Sequence, residues 1–330
     1  MAFSDTISQT TFNTRRVIDN AIRRCKLPAQ SITAEHIDIA KDQLYLLLSN
    51  LANGPTPLWC IEKQIYPLYE GVGSITTDLG TVDILNSNLR KVQEVTGTNT
   101  DTSTSRTVLF DSSTFVSSVG VLWSAASVPL ALERSDDGAT WTTVQTESPS
   151  AVAGQWTWFD LSSSLTALYF RVRATSGTLS FTSIVLGNMP MEIPLYRMNR
   201  DDYTNLPNKV FQSDTPIQFW FDRRARQPVM HLWPIPNAGA SVKQIVLWRS
   251  RQIMDVGSLT QEVEVPQRWY EAVVAGLAAM LARELVEVPF DGGLYSMLDQ
   301  RAAEALAEAR NEERDNSPEY IAPNISMYTR

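Results

Sequence analysis

Cysteine, histidine and long apolar runs are scarce in this sequence, and each shortage excludes a class of protein. The 330 residues include 2 cysteines and 2 histidines, too few for a disulfide framework or a structural zinc site. We expect Cys25 and Cys60 to be buried free thiols, and His36 and His231 to be structural. No run approaches the roughly 20 apolar residues that cross a bilayer, and the first residues lack the apolar segment of a secretory signal. We expect no membrane association.

Motifs of the common enzyme classes are also missing. The sequence contains no G-x-S-x-G elbow, no H-E-x-x-H zinc motif, no Walker loop and no G-x-G-x-x-G. Adjacent carboxylates occur at Asp201-Asp202 and Glu312-Glu313, but their polar surroundings favour a solvated face over a catalytic pair. The sequence therefore predicts a protein that is not an enzyme and that uses neither a cofactor nor a metal ion.

Negative charge is in excess, with a formal net charge of -8 and a pI near 5.0. A protein that coats nucleic acid needs a basic face to neutralise phosphates, so this role is disfavoured. DNA passing nearby is compatible with the charge, because a negative wall repels phosphate and lets a duplex slide.

Helical periodicity marks the N-terminal region. A first helix is predicted to end at Pro28, and a second to run from Thr33, whose hydroxyl can cap it, to about Asn53. Gly54 and Pro55 then provide a stop signal.

The C-terminal region is also predicted to be helical. One helix is expected from Pro266 to Leu285 and another from about Leu294 to Arg314, with Gly292-Gly293 as the turn between them. The final residues contain two prolines and no helical period, which indicates an extended tail that docks on a partner.

Strand patterns fill the middle of the chain. From 94 to 188 serine and threonine are abundant, lysine is absent, and short strands recur about every ten residues, as in a β-sandwich. The predicted strands are 107–110, 118–124, 130–135, 140–146, 155–161, 167–174 and 180–186. The fold class is therefore α+β: N- and C-terminal helices form a helical bundle with a small β-domain (1–93 and 189–330), and 94–188 is an inserted β-sandwich.

Two features of the sandwich have alternative interpretations. Asp136 and Asp137 could ligate calcium, but Asp-Gly between two strands is the commonest hairpin turn signal, which we prefer. Its aromatic residues fit a core, with a sugar-stacking surface as the alternative. Candidate glycan contacts are Trp141, Trp156 and Trp158.

The regions 10–90 and 190–330 together resemble the head-to-tail adaptors of short-tailed bacteriophages, of the tail tubular protein A and packaged-DNA-stabilisation type. Three elements occur in the family's order: L-x-P-x-P at Leu232, Pro234 and Pro236, a strand with an Arg-rich edge, and Pro-x-x-Trp opening an Ala-rich helix. The N-terminal helix pair with its Gly-Pro-x-x-Leu-Trp exit matches as well.

The resemblance implies a dodecameric ring at the head–tail junction of a virion, assembled in the host cytoplasm. Its partners would be the portal protein above and the tail nozzle protein below, and genomic DNA would pass through the channel without sequence-specific binding. A ring needs two different patches on each protomer. Candidate ring-interface residues are Tyr45, Leu46, Arg301, Glu308 and Arg310. Candidate portal-binding residues are Tyr320, Ile321, Ile325, Met327, Tyr328 and Arg330.

The insertion resembles galactose-binding-like jelly rolls of the discoidin type, on the stretch SDDGATW and on YFRVRA. This resemblance implies a domain that decorates the ring, contacts a tail fibre or binds a glycan. The alternative function is thus a carbohydrate-binding virion protein, which binds host glycan or anchors a tail fibre. A cell-wall hydrolase has the least support, because no acid and nucleophile pair stands out.

Overall fold

The structure is a computed structural model, and it describes residues 13–28, 31–52, 58–240, 242–285, 288 and 291–313. Contacts group the chain into two compact units. We call them the helical unit (Met1–Ile61 and Arg251–Arg330) and the β unit (Glu62–Ser250). Both ends of the chain therefore belong to the same unit. Within the described residues, no helix combines the length and the apolar character needed to cross a membrane.

The fold is α+β, as the sequence predicts. In chain order the elements are α1 (Thr14–Arg24), α2 (Ala34–Ala52), β1 (Ile61–Pro67), β2 (Ser74–Thr76), β3 (Thr81–Val95), β4 (Thr98–Asp101), β5 (Ser105–Trp123), β6 (Leu130–Ser135), β7 (Thr142–Glu147), β8 (Trp156–Ala174), β9 (Phe181–Pro194), β10 (Tyr196–Met198), α3 (Arg200–Thr204), β11 (Gln212–Ser213), β12 (Gln218–Asp222), β13 (Val229–Trp233), β14 (Ile235–Pro236), β15 (Lys243–Arg251), α4 (Tyr270–Glu284) and α5 (Gly292–Glu312).

Helix α4 is the centre of the helical unit, because α1, α2 and α5 each pack against it. Its small side chains allow this close approach: Ala275 and Ala278 are buried in the core, and the Cβ position of Gly276 lies 3.2 Å from Leu47 of α2. Residues from both ends of the chain share one apolar core. The predicted packing of N- and C-terminal helices is confirmed.

Several helix ends follow their sequence signals, but α1 ends at Arg24, four residues before the predicted Pro28. The Thr33 hydroxyl accepts a hydrogen bond from the backbone N–H of His36 at 3.3 Å, as predicted for a cap. The glycine pair is a correction: Gly292 begins α5, and the Asp291 carboxylate caps the helix by accepting the N–H of Gly293 at 3.0 Å. An acidic cap at a helix start compensates for the low helix propensity of the two glycines.

Both cysteines are buried free thiols, as expected. Cys25 follows the last residue of α1. Cys60 lies in a single 3₁₀ turn, Leu58–Cys60, immediately before β1. Strand pairing begins only at Ile61.

The β unit contains a nine-stranded sheet in the order β1-β15-β3-β9-β5-β8-β6-β7, with β4 added to β5. Strands β5 and β8 are each 19 residues long. Register shifts interrupt their pairing between Leu109 and Thr114 and between Val116 and Ser118. The sequence splits each of them into two strands, which is wrong. The polar residues between the apolar segments form irregularities within continuous strands, not turns.

These irregularities let the sheet fold into two layers. Near Ser105, β5 pairs with β4 and with the end of β8, whereas near Trp123 it pairs with β9 and with the start of β8. Side chains from both halves of β5 and β8 enclose one core, in which Trp123 is fully buried. The predicted β-sandwich is confirmed.

The small β-domain is a four-stranded sheet, β10-β12-β13-β2, together with the parallel pair β11-β14. Its buried side chains, such as Phe219 and Met230, form one core with Ile84 of β3 and Ile245 of β15. Strands β3 and β9 run without a break through positions 94 and 188. The predicted domain boundaries there stay a prediction, but no linker separates the sandwich from this small sheet.

Candidate functional site

Two tryptophans lie side by side on an outer face of the sandwich. Alternation along β8 places Phe159 in the core and directs Trp158 and Asp160 outward. The rings of Trp156 and Trp158 are stacked, with 5.3 Å between centroids and 20° between planes. A Cβ at Gly120, opposite Trp158 in β5, would come within 2.7 Å of the indole. The glycine therefore leaves the space that the Trp158 indole occupies.

The next outward residue of β8 is Asp160, which belongs to a group of charged side chains. We call this group the polar cluster: Lys63, Arg90, Asp160 and Glu192. Arg90 is 3% exposed and donates to Asp160 at 2.6 Å and to Glu192 at 2.7 Å. Lys63 Nζ contacts Asp160 at 3.1 Å. Burial opposes ionisation of Glu192, but hydrogen bonds from Arg90 and Asn88 outweigh it and lower the pKa of this carboxyl group. Charged oxygens and nitrogens are thus held in place near the two indoles.

Trp141 lies on the outer face of the other layer. Tyr169 and Arg171 flank the core residue Phe170 and point away from it. The guanidinium of Arg171 is 3.9 Å from the centroid of the Trp141 ring, and Tyr169 meets the same ring edge-on at 6.4 Å. The three candidate glycan contacts therefore divide between two surfaces, Trp156 with Trp158 on one and Trp141 on the other.

A buried carboxylate fixes the arginine beside Trp141. Glu133 in β6 is 4% exposed and accepts hydrogen bonds from Arg171 at 2.6 Å and from Arg173 at 2.7 Å. Burial raises the energy of its charged form, but the two arginines outweigh that effect and lower the pKa of Glu133. Arg171 is thereby held against the indole.

Asp137 serves the turn between β6 and β7. Its Oδ1 accepts the backbone N–H of Ala139 at 2.9 Å and of Thr140 at 2.7 Å, and the hydroxyl of Ser135 at 2.8 Å. These bonds lower the pKa of the carboxyl group. Gly138 has φ +72°, the conformation for which the Asp-Gly signal was chosen. In the part of the chain that the structure describes, no three potential metal-ligating side chains cluster.

Both histidines have structural contacts. Buried His36 accepts the N–H of Thr33 through Nδ1 at 3.3 Å. His231 stacks on Trp220 of the small sheet at 4.9 Å between centroids, and burial lowers its pKa. Each imidazole therefore stabilises its own element.

The ring-interface candidates lie on the surface of the helical unit. Tyr45 is 50% and Leu46 51% exposed on α2. Arg301 of α5 donates to Glu271 of α4 at 3.1 Å. Glu308 follows Arg301 by two helical turns on the same face, and Arg310 lies on another. Whether they contact another copy stays a prediction. The portal-binding candidates between 320 and 330 lie outside the described residues.

No protein-family model matches the chain, and no curated protein sequence matches it. Part of the chain is similar to CpGH89CBM32-5 from Clostridium perfringens, solved with GalNAc-beta-1,3-galactose. The identity is 12%, the match covers 41% of this chain and 100% of that chain, and the TM-score is 0.23. CBM32-1 from a family 31 glycoside hydrolase of Clostridium perfringens is similar at 11% identity over 40% of this chain and 96% of its own, with a TM-score of 0.24.

Chitosan-binding module 1 from a chitosanase/glucanase of Paenibacillus sp. IK-5 is similar at 18% identity, over 37% of this chain and 99% of its own, with a TM-score of 0.22. An F5/8 type C domain from Bacteroides fragilis, the discoidin-like kind of domain that the sequence resemblance names, is similar at 13% identity. It covers 25% of this chain and 62% of its own, with a TM-score of 0.22. At such low identities and TM-scores these similarities carry no argument about what the chain binds.

Proposed function

We propose that this chain is a non-enzymatic binding protein with two parts, a β-sandwich that binds carbohydrate and a helical unit that assembles with other virion subunits. For the whole chain we propose the head-to-tail adaptor role of a tailed bacteriophage, at the head–tail junction. The observation that carries the first role is the surface formed by Trp156, Trp158 and the polar cluster. The resemblance of the terminal regions to phage adaptors suggests the second.

The tryptophan surface has the chemistry that a sugar ring requires. An apolar sugar face can pack on the stacked indoles of Trp156 and Trp158, because aromatic rings offer a large flat contact area. Asp160 and Lys63 are 37% and 34% exposed, so they can still exchange hydrogen bonds with hydroxyl groups. Ligand sites of this kind combine aromatic walls with a few fixed polar groups.

Binding can be measured on the full chain by calorimetry, with oligosaccharides ending in galactose, N-acetylgalactosamine or glucosamine. We expect Trp156→Ala to weaken binding by about tenfold or more, which is one lost aromatic contact. Asp160→Asn should also weaken sugar binding, although it leaves both indole rings intact. Trp141→Ala is the matched control on the other face and should bind like the parent chain. Loss of binding in the Trp141 variant alone would place the site there, and binding of none of the sugars would refute the role.

The adaptor role is supported by the joint folding of the two chain ends. The described residues of 13–61 and 251–313 form a unit around α4, and its surface still exposes Tyr45, Leu46 and Met297. Tyr45 and Leu46 are neighbours on one helix, and an exposed apolar patch is typical of an assembly surface. The partners we propose are the portal and tail nozzle proteins, with a tail fibre or host glycan bound by the sandwich.

Electron microscopy of the chain mixed with the portal protein of the same phage tests this role. We expect rings of this chain seated on the portal, and a variant ending at 313 should lose portal attachment, since the candidate contacts lie beyond that residue. Particles in which this chain never joins the portal or the tail would refute the adaptor role and leave the carbohydrate role standing.

A further inference from the structure

An open groove crosses the surface of the helical unit between α1 and α5. Its volume is about 420 Å³, enough for one or two large side chains. The floor is α4 and the walls are α1 and α5. It is lined by Arg24, Glu271, Ala275, Met297, Leu298 and Arg301. Met297 is 55% exposed, so an apolar part of the groove wall is accessible to a binding partner.

The α1 side of the groove is positively charged. Arg24 donates to Glu271 at 2.6 and 3.0 Å, and Arg301 contacts the same carboxylate at 3.1 Å. Two cations thus share one anion. Arg23 is exposed on α1 and lines the adjoining hollow with Arg24. Beyond Arg301 the same face of α5 becomes acidic at Glu304 and Glu308, so the positive charge is concentrated at Arg23, Arg24 and Arg301.

Helix α2 presents a face of the opposite character. Glu35, Asp38, Asp42, Tyr45 and Leu46 are all exposed, and at 100° per residue they fall within an arc of about 100°. The first half of this face is acidic and the second half is apolar. Its acidic half has the charge opposite to that of Arg23 and Arg24 beside the groove, and its apolar half has the same apolar character as Met297 in the groove wall.

The two surfaces lie on different sides of α4. The Cβ position of Gly276 lies 3.2 Å from Leu47 of α2, whereas Glu271 and Ala275 line the groove. Consecutive residues of a helix point about 100° apart, so α2 packs on a different side of α4 from the groove. The exposed face of α2 therefore cannot fill the groove of its own chain. Two different patches that fit each other make a heterologous interface, which builds a ring or a filament.

We propose that the α2 face of one copy of this chain docks into the α1–α5 groove of the next copy, with Leu46 against Met297 and Asp42 beside Arg23. The occupant is a second copy because both complementary surfaces belong to the same helical unit. This inference rests on the assembly role proposed above and names the two surfaces that carry it.

Cysteine cross-linking tests the contact directly. The native thiols are buried, so background coupling is low. Under mild oxidation, a mixture of Leu46→Cys chains and Met297→Cys chains should give a covalent dimer, whereas each variant alone should stay monomeric on a denaturing gel. A chain with both substitutions should give a ladder of multimers. Leu46→Cys chains that couple to each other, or a mixture that gives no dimer, would overturn the proposal.

Charge reversal provides a second test, read by sedimentation velocity of the full chain. Asp42→Arg and Arg23→Glu should each weaken self-association by about tenfold, because each places like charges together. Both changes in one chain should restore it. Asp201→Arg is the control, since Asp201 is 78% exposed in the β unit, and it should have no effect. An Asp42→Arg chain that associates like the parent, or a double variant as weak as the singles, would overturn the pairing.

The two proposals fail in different ways. Chains that cross-link at 46 and 297 but never attach to the portal would contradict the adaptor role and support the interface. Chains that form rings on the portal without this cross-link would support the adaptor role and overturn the interface.

Discussion

Glu133 shows how one buried residue can organise a surface of the sandwich. It is 4% exposed and bonds Arg171 and Arg173 of the neighbouring strand. Glutamine has nearly the same shape as glutamate, but it lacks the negative charge that balances the two guanidinium groups. We expect Glu133→Gln to lower the free energy of unfolding by about 2 kcal/mol, because two partly solvated cations lose their partner. Urea unfolding at neutral pH measures this loss, with exposed Glu94→Gln as the control that should change little.

The effect of Glu133 should depend on pH. Its folded-state pKa is lowered from 4.5 by the arginines, which outweigh burial. A lowered pKa contributes stability above about pH 4.5, and this contribution is lost as the pH falls through the folded-state value. The difference between parent and Glu133→Gln chains should therefore be largest at pH 7 and shrink below pH 4.5. A difference that grows on acidification would contradict this account.

Cys25 should be nearly inert while the chain is folded. Burial raises the pKa of its thiol to about 11, so only about 0.1% is thiolate at pH 8. We expect a thiol reagent to react slowly with both native cysteines until urea unfolds the helical unit, when the reaction should become fast. Rapid modification of the folded protein, followed by mass spectrometry that locates the label on Cys25, would show that the thiol is accessible.

Turns and caps that depend on neighbouring residues are easier to predict from the sequence than contacts between distant residues. The turn at Asp137 and the cap at Thr33 depend on neighbours within three residues, so the sequence carried them. Glu133 and Arg171 lie 38 residues apart, and their contact depends on the register of β6 on β8. The sequence alone does not determine that register, because several strands have similar alternation. The polar cluster was missed for the same reason, although the outward alternation of Trp156, Trp158 and Asp160 was visible in β8.

At the scale of elements, β9 leaves no room for a side chain at Gly187, where it pairs with β3. A Cβ at Gly187 would lie 1.8 Å from Cγ1 of Val92 and 2.8 Å from the hydroxyl of Ser118. We expect Gly187→Ala to destabilise the β unit by about 1–3 kcal/mol through overpacking. Thermal unfolding followed by circular dichroism measures this change. In a Val92→Ala background the added methyl group has room, so the cost of Gly187→Ala should fall. An equal cost in both backgrounds would exclude the clash with Val92 as its cause.

Helices were easier to predict than strands for a physical reason. The period, cap and stop signals of α2 lie within its own sequence, and it runs over Ala34–Ala52, as predicted within about one residue. The breaks expected within β5 and β8 are absent, because polar residues such as those near 111–114 are bulged within a strand that keeps its partner. Pairing with a distant strand, invisible in the local pattern, decides between a bulge and a turn.

At the scale of the whole molecule, the sequence showed the α+β class and the joint folding of both ends. The groove between α1 and α5 was not predicted, since it joins residues such as Arg24 and Glu271 that lie 247 positions apart. The distribution of charge is likewise only partly predictable from the sequence. The net charge follows from composition, but the concentration of arginines beside one groove depends on how the helices pack.

That charge distribution gives a prediction about DNA. The chain has 36 acidic and 28 basic side chains, so long-range repulsion should keep a duplex from binding, even though α1 carries four arginines. We expect fluorescence anisotropy of a labelled duplex to show no binding by the full chain from about 50 mM to about 200 mM salt. Binding that weakens steeply with salt would contradict this expectation. Its loss in the Arg23→Glu chain, with the parent affinity kept in Lys63→Glu, would then place the contact on α1 and make that helix a DNA-binding surface.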